Sequence, residues 1–286
     1  MYNYQEKYNW RIFKMNIDNL IKDKYETLTK SEKKIAQYIM NNKKSIIYGT
    51  METIKKNVSV GDATIVRFSR KLGFSGFNDL KIDLAKTELE ESNIDSSHDY
   101  YDDIADRLIS TIKDTASLIN PSDLNKAIQL ITNCHKLYIF GVGHSGEIGK
   151  DFSKMLLRIG LIVQAETDPH FQSQMAAMMT NNDLVIGISL SGETKDTYDS
   201  LQMAKKSGAS IISITNNNLS SIAQISDITL RTSIEEFLNG GSLAGQLSQL
   251  YVCEVLIRGY ERQNGVDAVS LREKALRSIM DKRLNN

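Results

Sequence analysis

The chain has 286 residues, 41% of them apolar and 24% charged, a balance that supports one or two ordinary cores and excludes a disordered or fibrous protein. No stretch reaches the ~18 apolar residues of a bilayer-spanning helix, Leu184 to Leu190 being the longest apolar run. Two cysteines, Cys134 and Cys253, and four scattered histidines without CxxC or HExxH spacing argue against a disulfide framework and a zinc site.

The formal charge of zero is a cancellation: residues 1–86 hold 17 Lys+Arg against 9 Asp+Glu, and the remainder 18 against 26. A basic front joined to an acidic remainder points to a nucleic-acid partner for the front alone, a solvated lysine-rich surface being the competing reading.

Residues 1–14, aromatic and Asn-rich, read as a disordered tail, with Met15 as the true start. Lys7, Arg11 and Lys14 lack the apolar segment of a secretion signal, so the expected compartment is the cytoplasm. Leu20, Ile21, Tyr25 and Leu28, then Ile35, Ala36, Tyr38 and Ile39, recur at helical spacing. Thr50–Val58 is an amphipathic helix with Met51, Ile54 and Val58 inward. Ser59-Val60 forms a tight turn, and Gly61 caps a second helix over Asp62–Leu72. There Ile65, Phe68 and Leu72 share one face, while Thr64, Arg67 and Lys71, flanked by Ala63 and Arg70, point elsewhere. Such a helix fits the major groove, where Arg reads guanine bidentately and Thr meets phosphate or a thymine methyl. A basic surface helix that touches no DNA is the alternative.

Thr87–Asp103 is acidic, rich in Ser and Asn and without an apolar period. It reads as an exposed connection, with the linker proper at 91–103 between an all-helical domain at 15–90 and a second domain at 104–286. In the second domain, apolar runs at Leu137–Phe140, Leu161–Gln164, Leu184–Ser189, Ser210–Ile214 and Ile228–Arg231 alternate with helical patterns. The expected class is α/β, a five-stranded parallel sheet covered on both faces.

Two loops of this domain carry the chemistry. Leu137 to Gly146 reads strand, glycine turn, helix start: glycines let the backbone approach an anion, and free N–H groups with the Ser145 hydroxyl stand at the helix's positive end. A phosphate is the natural guest; a tight turn with Ser145 merely capping the helix is the bland alternative. Gly141, Gly143 and Gly146 also satisfy GxGxxG, with Glu166 ~20 residues on where a ribose-binding acid belongs, so an NADH-sensing site competes. The third strand ends Gly187-Ile188-Ser189-Leu190-Ser191-Gly192-Glu193-Thr194, which adds hydroxyls at a second strand end. A dinucleotide site has no special need for that loop, whereas a phosphosugar site uses both. The later helix Ser242–Arg262 carries Leu243, Leu247, Leu250, Tyr251, Val255 and Leu256, read as core rather than as a dimer face.

Three stretches, LTKSEKKIA at 28–36, ATIVRF at 63–68 and KLGFSGF at 71–77 followed by Leu80-Lys81, resemble the N-terminal domain of the RpiR (MurR/RpiR) transcriptional regulators over about residues 17–85. The resemblance implies DNA contacts by Thr64, Arg67 and Arg70, with Ser69 and Lys71 as further candidates. Lys56 departs from the small alanine common there. The loops GxGxS at 141–145 and SxSGxT at 189–194 resemble the sugar isomerase (SIS) domain over about 124–260. That implies a flavodoxin-like fold with Ser145, Ser189, Ser191 and Thr194 around a phosphate, and Gly143, His144, Leu190 and Gly192 lining the same loops. His170 stands where some amino-sugar-responsive relatives place a histidine near the ligand, a solvent-exposed histidine at a helix start being the alternative. Asn239 and Gln246 replace arginines frequent in relatives. Together these imply a cytoplasmic, non-enzymatic regulator of carbohydrate catabolism genes, acting as a repressor. It would need no cofactor or metal, contact no membrane, bind an inverted-repeat operator as a homo-oligomer (dimer or tetramer) and answer to a sugar phosphate, an amino-sugar phosphate among the candidates. A sugar-phosphate isomerase using Glu166, His170, Glu193 or Glu235 to move protons is the alternative of another class.

Overall fold

The computed structural model describes residues 17–92, 100–234 and 243–280; the expectations for residues 1–14, Glu235 and Asn239 lie outside the described residues. The chain divides into two compact units, Met1–Ser96 and Ser97–Asn286.

The first unit is built from α1 (Ile17–Lys24), α2 (Lys30–Asn41), α3 (Lys43–Tyr48), α4 (Met51–Val58), α5 (Asp62–Leu72) and α6 (Phe77–Ser92). Apolar residues at helical spacing close its core: Ile21, Ile35, Ile39, Ile54, Ile65, Phe68 and Leu80 are each fully buried. Thr29 starts α2 with a reciprocal cap, its hydroxyl accepting from the Glu32 amide at 3.3 Å while the Glu32 carboxylate accepts from the Thr29 amide at 2.8 Å. Between α4 and α5, Ser59 adopts φ 55°, the one positive-φ non-glycine residue among those described. Its left-handed backbone lets the second helix of the pair leave the first sharply.

The stretch read as an exposed connection is partly helical, because α6 continues through Ser92 and the next helix begins at Tyr100. Glu, Leu and Lys between Lys86 and Glu91 are good helix formers without an apolar stripe. Tyr100, Tyr101 and Ile104 begin the following helix largely exposed. These helix ends therefore carry no apolar period in the sequence.

The second unit opens with α7 (Tyr100–Ser117) and α8 (Pro121–Asn133). Then β1 (Lys136–Phe140), β2 (Gln164–Glu166), β3 (Asp183–Ile188), β4 (Ser210–Thr215) and β5 (Ile228–Arg231) alternate with α9 (Gly143–Leu157), α10 (Pro169–Ala177), α11 (Lys195–Lys206) and α12 (Ser221–Ile225), and α13 (Leu243–Gln263) and α14 (Ala268–Arg277) follow. All strand pairs are parallel, in the order β2-β1-β3-β4-β5. Alternate strand residues face opposite ways. Ile139, Ile186, Ile188 and Ile212 pack toward α8, α9 and α13, whereas Phe140, Val185 and Ile211 pack toward α10, α11 and α12. Every residue of β3 is buried, as a central parallel strand requires.

β2 starts three residues after the start of the expected strand Leu161–Gln164 and shares only Gln164 with it. It is an edge strand pairing with β1 alone. Ile162 in the run leading to it is 89% exposed, so apolarity there marks the approach and not the strand.

Candidate functional site

The strand order reverses direction of growth between β1 and β3, the point where a doubly wound sheet opens a crevice at its carboxyl end. The two loops singled out from the sequence leave the sheet there: Gly141–Val142 leads from β1 into α9, and Ser189–Thr194 leads from β3 into α11.

Both helices start without a side-chain cap. Asn120, Asp168, Ser220 and Asp267 do cap α8, α10, α12 and α14 of the same unit. The first-turn N–H groups of α9 and α11 thus keep their donors and their positive end for an anion.

The hydroxyls are arranged to match. Ser145 Oγ accepts from Gln249 Nε2 at 3.0 Å, and Ser191 Oγ accepts from the Glu193 amide at 3.2 Å. Ser189 Oγ accepts from the Gly192 amide at 3.1 Å and shares a 3.0 Å bond with Thr194 Oγ1. A hydroxyl has one proton and two lone pairs. Ser145 and Ser191 each spend a lone pair on a protein N–H and retain the proton. The Ser189–Thr194 pair retains one proton whichever of the two donates to the other. The loops therefore present O–H donors, each with one acceptor position already engaged by the protein.

Gly192 sets the shape of the second loop. It takes φ 68°, and a Cβ there would stand 2.1 Å from Ser220 Oγ, so a side chain is excluded by both backbone and space. The Leu190 carbonyl is held by the Asn216 amide at 2.9 Å and Thr215 Oγ1 at 3.3 Å, which leaves this residue a framework part. Gly143 takes φ 57° in the first loop.

His144 is exposed in the first turn of α9. His170 is exposed in the first turn of α10, and its ring makes no hydrogen bond among the described residues. Two of the carboxylates named as alternative proton shuttles, Glu166 and Glu193, accept hydrogen bonds. Glu166 Oε1 accepts the Thr167 and Asp168 amides at 2.7 and 2.9 Å, and Glu193 accepts from the amide and hydroxyl of Ser221 at 3.0 and 2.7 Å.

Two amides were not singled out from sequence. Gln249 lies 2% exposed on α13. Gln172, fully buried on α10, donates to the Gly141 carbonyl at 3.0 Å and the Glu166 carbonyl at 2.8 Å, and so braces the first loop against β2. A glutamine inside an otherwise apolar helical face is the signal that would have found both. On α13 the buried face is Ala244, Gly245, Ser248, Gln249, Val252, Cys253, Leu256 and Ile257. Of the residues read as its core, Leu256 is buried, Leu247, Leu250, Tyr251 and Val255 are half-buried, and Leu243 is exposed. Small residues bring this helix close to the sheet and displace the larger apolar ones to its flanks.

In the first unit, α5 turns Ile65, Phe68 and Leu72 inward and leaves Ala63, Arg67 and Arg70 exposed, with Thr64 half-buried. Arg67 Nη2 stands 3.5 Å from Thr64 Oγ1, and Arg70 Nε donates to the Ser75 carbonyl at 3.3 Å. Ser69 requires a correction: it is fully buried, its hydroxyl donating to the Ile65 carbonyl at 3.0 Å, so it faces the core and not a DNA surface. Lys71 is also engaged, with Nζ 3.1 Å from the buried Glu32 carboxylate and a second bond to the Thr27 carbonyl. Its ammonium anchors α5 to α2.

Burial works against the Glu32 charge, but the Thr29 amide and Lys71 outweigh it and hold the carboxyl below its ordinary 4.5. A carboxyl lowered on folding stabilises the fold above its unfolded value, and that contribution is lost as pH falls through the folded value. Glu32→Gln is expected to cost about 1–3 kcal/mol at neutral pH. The cost should shrink toward zero as pH drops below 4.5. Urea unfolding followed across this range checks it, and a penalty independent of pH would contradict the pairing.

Residues 15–91 match the helix-turn-helix domain of the rpiR family, and residues 130–258 match the SIS domain. The chain is 30% identical over 282 residues to an HTH-type transcriptional regulator of Haemophilus influenzae, covering 94% of this chain and 98% of that protein. It is 31% identical over 264 residues to one of Clostridium perfringens, covering 88% and 95%, and 26% identical over 261 residues to HexR of Pseudomonas aeruginosa, covering 88% and 91%. Among solved structures, Vibrio vulnificus NanR complexed with ManNAc-6P shares the fold with a TM-score of 0.82 at 23% identity, covering 94% of this chain and 100% of that one.

Proposed function

The chain belongs to the RpiR family of helix-turn-helix transcriptional regulators with a SIS domain, and from that membership we propose that it binds operator DNA through α5 and is controlled by a sugar phosphate held between the Gly141–Ser145 and Ser189–Thr194 loops. The observation that carries the effector reading is the pair of uncapped helix starts at the sheet's switch point, flanked by hydroxyls that keep their protons. Ser145, Ser189, Ser191 and Thr194 hold the phosphate, with the backbone of Gly143, His144 and Gly192 beside them. On α5, Thr64, Arg67 and Arg70 meet DNA. One short recognition helix offers little surface, so the protein acts as a homo-oligomer on an inverted repeat with half-sites about one helical turn apart. Its place is the cytoplasm, and it represses carbohydrate catabolism genes.

The reading is of a regulator and not an enzyme. Glu166 and Glu193 already accept hydrogen bonds from neighbouring backbone N–H groups, which weighs against their serving as general bases. The same engagement of Glu166 weighs against a ribose-binding role and an NADH site. NanR in its complex holds ManNAc-6P, so an amino-sugar phosphate heads the effector candidates here, with His170 beside the sugar. The test pairs calorimetry with a turnover assay on N-acetylmannosamine 6-phosphate, glucose 6-phosphate, ribose 5-phosphate and NADH. The reading expects a phosphosugar to bind unchanged and NADH not to bind. Isomerised product above background would replace it with an enzyme.

A further inference from the structure

Ser145 belongs to the first turn of α9, yet its hydroxyl is fixed from another part of the chain. Gln249 Nε2, on α13, donates to Ser145 Oγ at 3.0 Å. Gln249 is 2% exposed and shares the buried face of α13 with Ala244, Ser248 and Val252. An amide placed among apolar and small residues has to be hydrogen-bonded to be tolerated, and here its donor is aimed at a hydroxyl of the anion loop.

We propose that Gln249 is a positioning residue of the effector site, which makes the Ser145 hydroxyl a donor to the ligand's phosphate. The proposal rests on the phosphosugar reading of the two loops. With Nε2 on one lone pair, the Ser145 proton turns away from α13 and is left for a phosphate oxygen. A carboxylate in place of the amide reverses this: it accepts that same proton and sets a negative charge beside the dianion. A side chain of similar volume with no donor leaves the hydroxyl free to turn, so part of the ordering falls on the ligand. α13 also packs against α7, the helix by which the chain enters this unit. The bond therefore ties the anion loop to a helix that packs against α7, the first helix of this unit.

The test is a double-substitution cycle in the full-length protein, read by calorimetry with the best ligand among N-acetylmannosamine 6-phosphate, glucose 6-phosphate and ribose 5-phosphate. Gln249→Met is expected to weaken binding about 5- to 10-fold in the wild-type background and by less than about 2-fold once Ser145→Ala is present, because Gln249 acts through that hydroxyl. A packing role gives the same loss in both backgrounds and overturns the proposal. Gln249→Glu, nearly isosteric, is expected to cost about 100-fold or more. Binding as tight as wild type in that variant overturns the proposal too, and this arm stands if Gln249→Met fails to fold. The wild-type titration separates the two levels of inference. If it binds no phosphosugar, the effector reading falls and this proposal with it; if it binds and the variants do not differ, only the role of Gln249 falls.

Discussion

Ser189→Ala is expected to weaken phosphosugar binding by about 10- to 150-fold, the equivalent of one charge-assisted hydrogen bond of about 1.5–3 kcal/mol. Ser189 is 2% exposed and makes two internal bonds, to the Gly192 amide and to Thr194 Oγ1. Its loss removes a link in the hydroxyl pair that faces the ligand and leaves the Gly192 amide with the Ser189 carbonyl as its remaining acceptor, at 3.1 Å. Ser191→Ala should cost less, toward the 10-fold end, because Ser191 is exposed and its one internal bond is to the Glu193 amide. Neither substitution touches the unit that carries α5, so operator affinity without ligand should stay within about 2-fold of wild type. Calorimetry with the best phosphosugar, beside operator titration, checks both halves. Unchanged phosphosugar affinity in both variants would place the phosphate elsewhere.

Arg67→Ala is expected to lower operator affinity by about 1–3 kcal/mol for each α5 helix engaged, with a smaller loss on random DNA. Arg67 is exposed beside Thr64, on the face opposite Ile65, Phe68 and Leu72. A side chain that reads a base adds discrimination, whereas one that meets phosphate adds affinity without it and a salt dependence of its own. Equal losses on operator and random DNA would reassign Arg67 to the phosphate backbone. Lys71→Ala offers the contrast, because its ammonium is held by Glu32 and the Thr27 carbonyl. It should reduce the stability of the helical unit more than it reduces selectivity.

The features legible in the sequence were those with strong local signals. The helix-turn-helix pair follows from apolar residues at helical spacing, from the Ser59-Val60 turn and from Gly61, and its helices span Met51–Val58 and Asp62–Leu72. The two anion loops follow from glycine and hydroxyl residues directly after buried strands, and both leave the sheet at its switch point. What was hidden depends mostly on partners distant in the chain, Ser69 and β2 being set by local geometry instead. Lys71 and Ser69 lie on a basic, polar stretch of α5, but Glu32 on α2 draws Lys71 in, and the helix phase turns Ser69 toward the core. Gln249 gains its role only because α13 packs against α9, more than a hundred residues earlier. β2 was expected but its bounds were misplaced, because an edge strand of three residues, half-exposed, has too little periodicity to fix them.

In the proposed function, occupation of the phosphate site changes the affinity of the operator site. The direct measurement is operator affinity at fixed salt, titrated with and without a saturating phosphosugar and with the matching non-phosphorylated sugar as control. At least one phosphosugar should shift operator affinity by about 5- to 150-fold, a coupling of about 1–3 kcal/mol, while its non-phosphorylated counterpart leaves it unchanged. Operator binding that no phosphosugar moves, or that the bare sugar moves equally, would contradict the account.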